Sequence, residues 1–296
     1  MPTLEAGNSD PNMPLFTMFK GEPGTRKSTA ALSYPGPQYW ISTDQKMEAL
    51  ELPAKRWGFW GKGHVQYDDY TDWSTPRGKL EKLQVNCPFK TIVVDSITSI
   101  GDNMNRETIK VKRSGQGGEE SGKGKKIGNI YVPGIEEYNA EASAFQELIA
   151  LLKDIHKFHK VNIILIAHVV GQRNKDNDTN KLTHHSRVII TGGDKISGKI
   201  ASYMTEVYHF NIESDFNVDS GEGKYGLFTQ HTGNDYARTS LPLERKIQFN
   251  NEPLYEKWVE PAIRKLKAEQ PVQRITTPTQ TTPSPQSTST FTPPTK

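Results

Sequence analysis

Three features of the sequence predict an α/β fold, a mainly parallel sheet flanked by helices. Short apolar runs alternate with stretches of helical periodicity. Two of the runs, TIVVD (Thr91–Asp95) and VNIILIA (Val161–Ala167), are apolar on both faces, as strands buried inside a parallel sheet are. A glycine-rich turn separates the first run from the first helical stretch. In chain order, Leu15 to Phe19 reads as a strand, followed by that turn and a helix from about Lys27. Tyr39 to Ser42 and His64 to Tyr67 read as further strands. Between the two buried strands, Tyr138, Ala142, Phe145, Leu148, Ile149, Leu152 and Ile155 recur at helical spacing and predict a long amphipathic helix. Glu206 to Ile212 and Tyr225 to Gln230 flank a Ser/Gly-rich turn, which predicts antiparallel strands at the C-terminal edge.

Composition narrows the class. The chain has 296 residues, 34% of them hydrophobic, and no run approaches the roughly 18 apolar residues of a membrane helix. Residues 1–13 lack the charged-then-apolar order of a signal peptide. The single cysteine, Cys87, cannot form an internal disulfide, so a soluble, cytoplasmic protein is expected. From Glu269 to Lys296, 22 of 28 residues are Pro, Thr, Ser or Gln, too polar to offset their ordering entropy. The expected organisation is an N-terminal extension (1–13), one catalytic core (14–264) and a disordered tail (265–296).

The sharpest motif is Gly21-Glu22-Pro23-Gly24-Thr25-Arg26-Lys27-Ser28, with Thr29 following, between the first strand and first helix. That context is the one a phosphate-binding loop requires: backbone N–H groups of a glycine-rich turn converge on phosphate oxygens. Lys27 is placed to reach the outer phosphates and Ser28 to ligate Mg²⁺. The position before the lysine is usually glycine; here Arg26 must bear any left-handed backbone geometry there. Asp95 closes a buried strand at the end where ligands of open α/β sheets bind, and is the second expected Mg²⁺ residue. His156 and His159 are assigned to the surface of the long helix.

With these residues, TIVVDSITSI, IILIAH ending at His168, and TGGDKISGKIASY (Thr191 to Tyr203) resemble the core of RecA-type recombinases, closest in spacing to the phage-encoded RecA-like P-loop NTPases of the Sak recombination and annealing group. The resemblance spans roughly Pro14 to Ile263. It implies a RecA-like core using ATP and Mg²⁺, in which Asp44 orients the attacking water with Glu48 in reserve. For Asp44 a helix N-cap is the alternative role. The resemblance also implies that His168 senses the γ-phosphate and that Arg238 reaches a neighbouring subunit's nucleotide, with Arg245 and Lys246 as alternatives.

The formal charge is only +3, but the cations cluster. Arg106 to Lys126 holds seven Lys/Arg against three Asp/Glu, and Gln172 to Lys199 six against three. Both segments follow buried strands, and such charge suits a phosphate backbone; in the resembled family the corresponding loops bind DNA. The expected DNA-binding residues are Lys110, Lys112, Arg113, Lys123, Lys125 and Lys126 in the first segment. In the second they are Arg173, Lys181, Arg187, Lys195 and Lys199. The expected activity is a DNA-dependent ATPase acting on single-stranded DNA in phage recombination, annealing or replication. It would work as a homo-oligomer, with a single-strand-binding protein as a further partner, in the host cytoplasm. The alternatives are a nucleotide-gated DNA-binding or annealing protein with little hydrolysis, and a helicase-type motor.

Overall fold

The computed structural model describes residues 13–113, 126–127, 130–131, 135–175, 182–189, 199–212, 224–233, 235–250 and 252–268. From β1 (Phe16–Gly21) the chain passes through α1 (Lys27–Leu32), β2 (Gln38–Ser42), a 3-10 turn (Met47–Leu50), α2 (Glu51–Arg56) and β3 (Val65–Asp69). There follow α3 (Ser74–Val85), β4 (Thr91–Asp95), α4 (Ile97–Arg113), the short β5 (Lys126–Ile127) and β6 (Ile130–Tyr131), and α5 (Ile135–His159). The last elements are β7 (Asn162–Lys175), β8 (Leu182–Ile189), β9 (Glu206–Ile212), β10 (Tyr225–Phe228), β11 (Lys246–Gln248) and α6 (Glu260–Ala268). The main sheet runs β11-β10-β9-β1-β7-β4-β2-β3. Its members from β9 to β3 are parallel, and β10 and β11 are antiparallel. The predicted fold class and antiparallel edge are both present.

Strand alternation sorts the core into two layers. Ile92 and Val94 of β4, with Ile163 and Leu165 of β7, pack with Leu80 of α3, Ile97, Ile100 and Met104 of α4, and Phe145, Leu148 and Leu152 of α5. Val93, Ile164 and Ile166 point the other way, towards Ala30 to Leu32 of α1, Ala54 of α2 and Ile263 of α6. Each such fully buried aliphatic side chain contributes about 1.5–3 kcal/mol relative to exposure. The all-apolar central strands thus follow from having helices on both faces. Buried Gln38 at the start of β2 finishes α1: its Nε2 donates to the carbonyls of Leu32 (3.0 Å) and Tyr34 (2.6 Å), which the helix end leaves over.

Three expectations are corrected. The basic segment from Arg106 does not begin as a loop, because α4 runs to Arg113 and places Lys110, Lys112 and Arg113 on a helix. Buried Ile97, Ile100 and Met104, at helical spacing, anchor that helix to the core. The strand predicted to stop at Ala167 continues to Lys175 and pairs antiparallel with β8, so Arg173 and Arg187 lie on a two-stranded ribbon. The last helix, α6, runs past residue 264 to Ala268, with Leu266 packed against the core. His156 and His159 are not simply surface residues. His156 Nδ1 lies 2.9 Å from the Val161 carbonyl with its ring edge-on to Phe16, and His159 Nε2 lies 2.8 Å from the Gln84 carbonyl. Lys123, Lys125, Lys181 and Lys195, the TGG segment at 191–193, residues 1–12 and residues 269–296 lie outside the described residues.

Candidate nucleotide site

The phosphate-loop sequence wraps between the end of β1 and α1, and its geometry explains its glycines. A Cβ on Gly21 would sit 2.5 Å from the Phe210 carbonyl oxygen of the adjacent β9, so only glycine fits. Gly24 has φ +80, a conformation that favours glycine. Arg26, at φ 64 and ψ 27, takes the left-handed geometry at a cost of about 1–2 kcal/mol. Its guanidinium turns outward, stacking 3.7 Å from the centroid of Tyr225 on β10 and donating to the Asn250 carbonyl. The side chain ties the loop to the edge strands, while Arg26 also lines the phosphate pocket.

Lys27 turns inward. It is only 4% exposed, and its Nζ donates to the carbonyls of Gly21 and Glu22, both at 2.8 Å, and to Thr25 Oγ1 at 3.3 Å. Burial pulls its pKa down to about 8, against the opposing pull of Asp95, Asp44 and Glu22. The hydroxyl of Ser28, the next residue, donates to Asp95 Oδ2 at 2.7 Å. Burial pushes the Asp95 carboxyl up, the Ser28 bond and nearby cations opposing it and the charge of Asp44 reinforcing it. A buried carboxylate beside a hydroxyl oxygen is the hard-oxygen pair that suits Mg²⁺, which takes its remaining ligands from phosphate and water. Ser28 and Asp95 would hold it.

Asp44 follows β2 and faces the same cleft. Its Oδ1 accepts from Ser96 Oγ at 3.1 Å and from Ser99 Oγ, and its Oδ2 lies 3.3 Å from His168 Nε2. Burial alone would raise its pKa; the bonds from His168, Ser99 and Ser96 outweigh that and hold it at about 2. Asp44 does not cap the following 3-10 turn, whose N-terminus has no side-chain cap. His168 follows the fully buried run 163–167 of β7, and its backbone N–H donates to Thr98 Oγ1 at 3.1 Å. The first turn of α4 therefore grips both Asp44 and His168. Those hydroxyls stand within TIVVDSITSI, but their partners lie more than 50 residues away, so the sequence offered no local sign of the grip.

A pocket of about 290 Å³ joins Pro23 to Thr29 with Asp44, Lys46, Ala49, Leu50, Asp95 and His168. A model of the family described as an AAA domain matches residues 16–241. The chain belongs to this P-loop NTPase family. No curated protein matches it. An AAA domain of this kind binds a nucleotide through its phosphate loop, usually with Mg²⁺, and ATPase activity is the family's chemistry. In this P-loop NTPase the match runs from β1 through β10 and stops short of β11 and α6. Among the described residues no helix is long and apolar enough to cross a membrane.

The remaining sequence-derived residues stand apart from the pocket. Glu48, the reserve base, lines a neighbouring cavity instead. Arg238 pairs its backbone with Val207, at 2.8 and 2.9 Å, and its guanidinium donates to the Met204 carbonyl. Val207 lies level with Met18 of β1, three residues or about 10 Å along the strand from Gly21. Arg238 thus sits towards the opposite end of the sheet from its own phosphate loop. Arg245 donates to the His231 carbonyl, and the Lys246 ammonium lies 5.9 Å from the Phe228 ring centroid. Lys199 is exposed in a turn before β9.

Proposed function

We propose that this P-loop NTPase is a RecA-like protein of the phage Sak type that binds and hydrolyses ATP while engaged on single-stranded DNA, in recombination, annealing or replication. One observation carries the reading. Lys27, Ser28, Asp95, Asp44 and His168 meet at one pocket, and the two basic segments begin on elements that leave it, α4 and the β7–β8 ribbon. Nucleotide state and strand binding are therefore served by the same pieces of backbone.

In this reading Lys27 places its charge against the outer phosphates, where phosphate oxygens replace the loop carbonyls as acceptors. Ser28 and Asp95 would hold Mg²⁺, which when bound would supply further neutralisation of phosphate charge. Asp44, held at about 2, is a weak base; it aligns the attacking water and fixes the orientation of His168, the γ-phosphate sensor. Arg238 serves a neighbour's nucleotide in a homo-oligomer, since its own pocket lies at the other end of the sheet.

ATP turnover with and without single-stranded DNA, measured beside Lys27→Ala, tests the activity. Stimulation by DNA that Lys27→Ala abolishes is the expected result, and turnover indifferent to either would overturn it. Mixing Arg238→Ala with Lys27→Ala subunits should restore part of the activity that each lacks alone. Full activity in Arg238→Ala by itself would remove the trans role. A second reading, a nucleotide-gated DNA-binding protein with little hydrolysis, draws on the occupied carboxylate of Asp44 and the outward Arg26; it expects DNA affinity to follow ATP binding without measurable turnover.

A further inference from the structure

Beside the phosphate pocket lies a second cavity, of about 520 Å³, bounded by the end of α1, the 3-10 turn with α2, and β3 with the loop before it. That volume falls within the roughly 300–1,000 Å³ of pockets that enclose a compact ligand. Leu32, Leu50 and Ala54 give it buried apolar walls, and Phe59 stacks flat on His64 at 4.0 Å and 7°. Trp60 and Tyr67 are 55% and 51% exposed, large rings left at the rim. Its charge is acidic: Glu48 and Glu51 line it and, among the described residues, no lysine or arginine does. Burial lowers the His64 pKa, which favours the neutral ring. Lys55, outside the lining, pairs with Glu51 and lies 5.1 Å from the Trp60 ring centroid, which leaves Glu48 as the net charge of the cavity.

An apolar slot with aromatic rims suits a proline-rich segment, whose fixed φ keeps it extended and limits the entropy lost on binding. An acidic wall adds a preference for one that carries a cation. The chain has such a segment. Phe291-Thr292-Pro293-Pro294-Thr295-Lys296 combines an aromatic ring, two prolines and a lysine, and Phe291 is the one aromatic residue beyond α6. α6 ends at Ala268 on the cavity's side of the sheet, since its Leu266 packs on the same core layer as Phe59 and Val65, two of the lining residues. Phe291 stands 23 residues further on. A flexible chain of that length has a root-mean-square span of about 26 Å and presents its far end at a local concentration of order millimolar. We propose that residues 291–296 of the same chain occupy this cavity, with Phe291 among the apolar walls, Pro293 and Pro294 across the rings of Trp60 and Tyr67, and Lys296 against Glu48. A nucleic-acid strand would also stack on exposed rings, but here its phosphates would face two carboxylates.

Fluorescence anisotropy of a labelled peptide, Ser287–Lys296, titrated with the full chain tests the proposal. The full chain carrying Phe291→Ala has its own segment disabled and should bind the peptide; wild type, whose segment competes, should bind it at least about tenfold more weakly. A peptide carrying Phe291→Ala should also bind at least about tenfold more weakly. In the Phe291→Ala chain, Trp60→Ala and Tyr67→Ala, both at exposed positions, should each weaken the peptide about fivefold with unchanged thermal melting. Glu48→Lys should weaken it about threefold, and a Lys296→Glu peptide should recover that loss. No binding to the Phe291→Ala chain, or equal binding to wild type, would overturn the proposal. Affinity indifferent to both rim rings would take the segment out of this cavity, and a Glu48→Lys loss that the charge swap leaves unrepaired would remove the Lys296 contact. A thymidine oligonucleotide that displaces the peptide would make the cavity a nucleic-acid surface instead. Self-association of wild type that Phe291→Ala abolishes would hand the cavity to the segment of a neighbouring copy.

Discussion

Lys27 and Arg26 are neighbouring cations in one loop, and the backbone sends them in opposite directions. The lysine is buried, lies against loop carbonyls and is pulled down to about 8 by desolvation. The arginine sits in left-handed geometry, stacks on Tyr225 and donates to Asn250, away from the fold's centre. Adjacent like charges in one loop thus meet different surroundings. Lys27 lies against the loop's own carbonyls, and Arg26 fastens the loop to the antiparallel edge, where Asn250 Oδ1 also accepts from the Tyr225 N–H at 3.0 Å.

The inner side should give the largest effect. Lys27→Ala is expected to weaken ATP by about 10²-fold, as loss of a charged hydrogen bond worth roughly 1.5–3 kcal/mol implies. Calorimetry checks this, and wild-type binding in the variant would break the contrast between the two cations. The same side chain makes a pH prediction. Its folded pKa of about 8 lies below its ordinary 10.5, so it loses its proton as pH rises through 8. ATP affinity should fall over that range in wild type, and Lys27→Ala should lack the decline. The sign for stability is the reverse. The unfolded chain binds the extra proton between pH 8 and 10.5, so this group's penalty for burial is relieved as pH rises.

Asp44 gives a medium effect and sharpens the inner side further. Its folded pKa of about 2 lies below the ordinary 3.8, so it stabilises the fold above pH 4 and that contribution is lost as pH falls towards 2. The contribution is about 2 kcal/mol. Denaturant melts of Asp44→Asn should show that loss at pH 7 and a gap to wild type that narrows by pH 2; a gap independent of pH would mean that packing, not charge, is at stake.

The outer side should give the smallest effect. Arg26→Gly relieves the left-handed backbone but loses the stack on Tyr225, worth about 0.5–2 kcal/mol, so the two nearly offset. Thermal stability should move by less than about 1 kcal/mol, ATP affinity by less than about threefold, and turnover should rise. A tenfold loss of ATP affinity would instead show that the guanidinium reaches phosphate.

The same contrast between near and distant partners governs what the sequence disclosed. β4 was legible to the residue because three consecutive apolar residues between Thr91 and Asp95 leave little choice, and the phosphate loop was legible because glycine spacing is a local signal. α4 was hidden: its buried Ile97, Ile100 and Met104 are followed by polar and basic residues that read as a loop. The ribbon of β7 and β8 was hidden because Thr, His, Ser and Arg dominate β8 and its pairing is its only signal. The outward turn of Arg26 depends on Tyr225 and Asn250, some 200 residues away, and the second cavity draws its walls from three separate segments. Neither leaves a trace in any short window of sequence.

β7 deserves a mechanical reading. Its first half is clamped between β1 and β4, and its second half, from Val169 to Lys175, leaves the sheet bonded only to β8 among the described strands. His168 stands at the boundary between the two halves. A beam fixed at one end and loaded at the point where it leaves its mounting acts as a lever. The free portion is seven residues, about 23 Å, so a tilt of about 5° at His168 carries the far end of β7 through about 2 Å. That is enough to make or break a hydrogen bond at the tip without unfolding any part of the core.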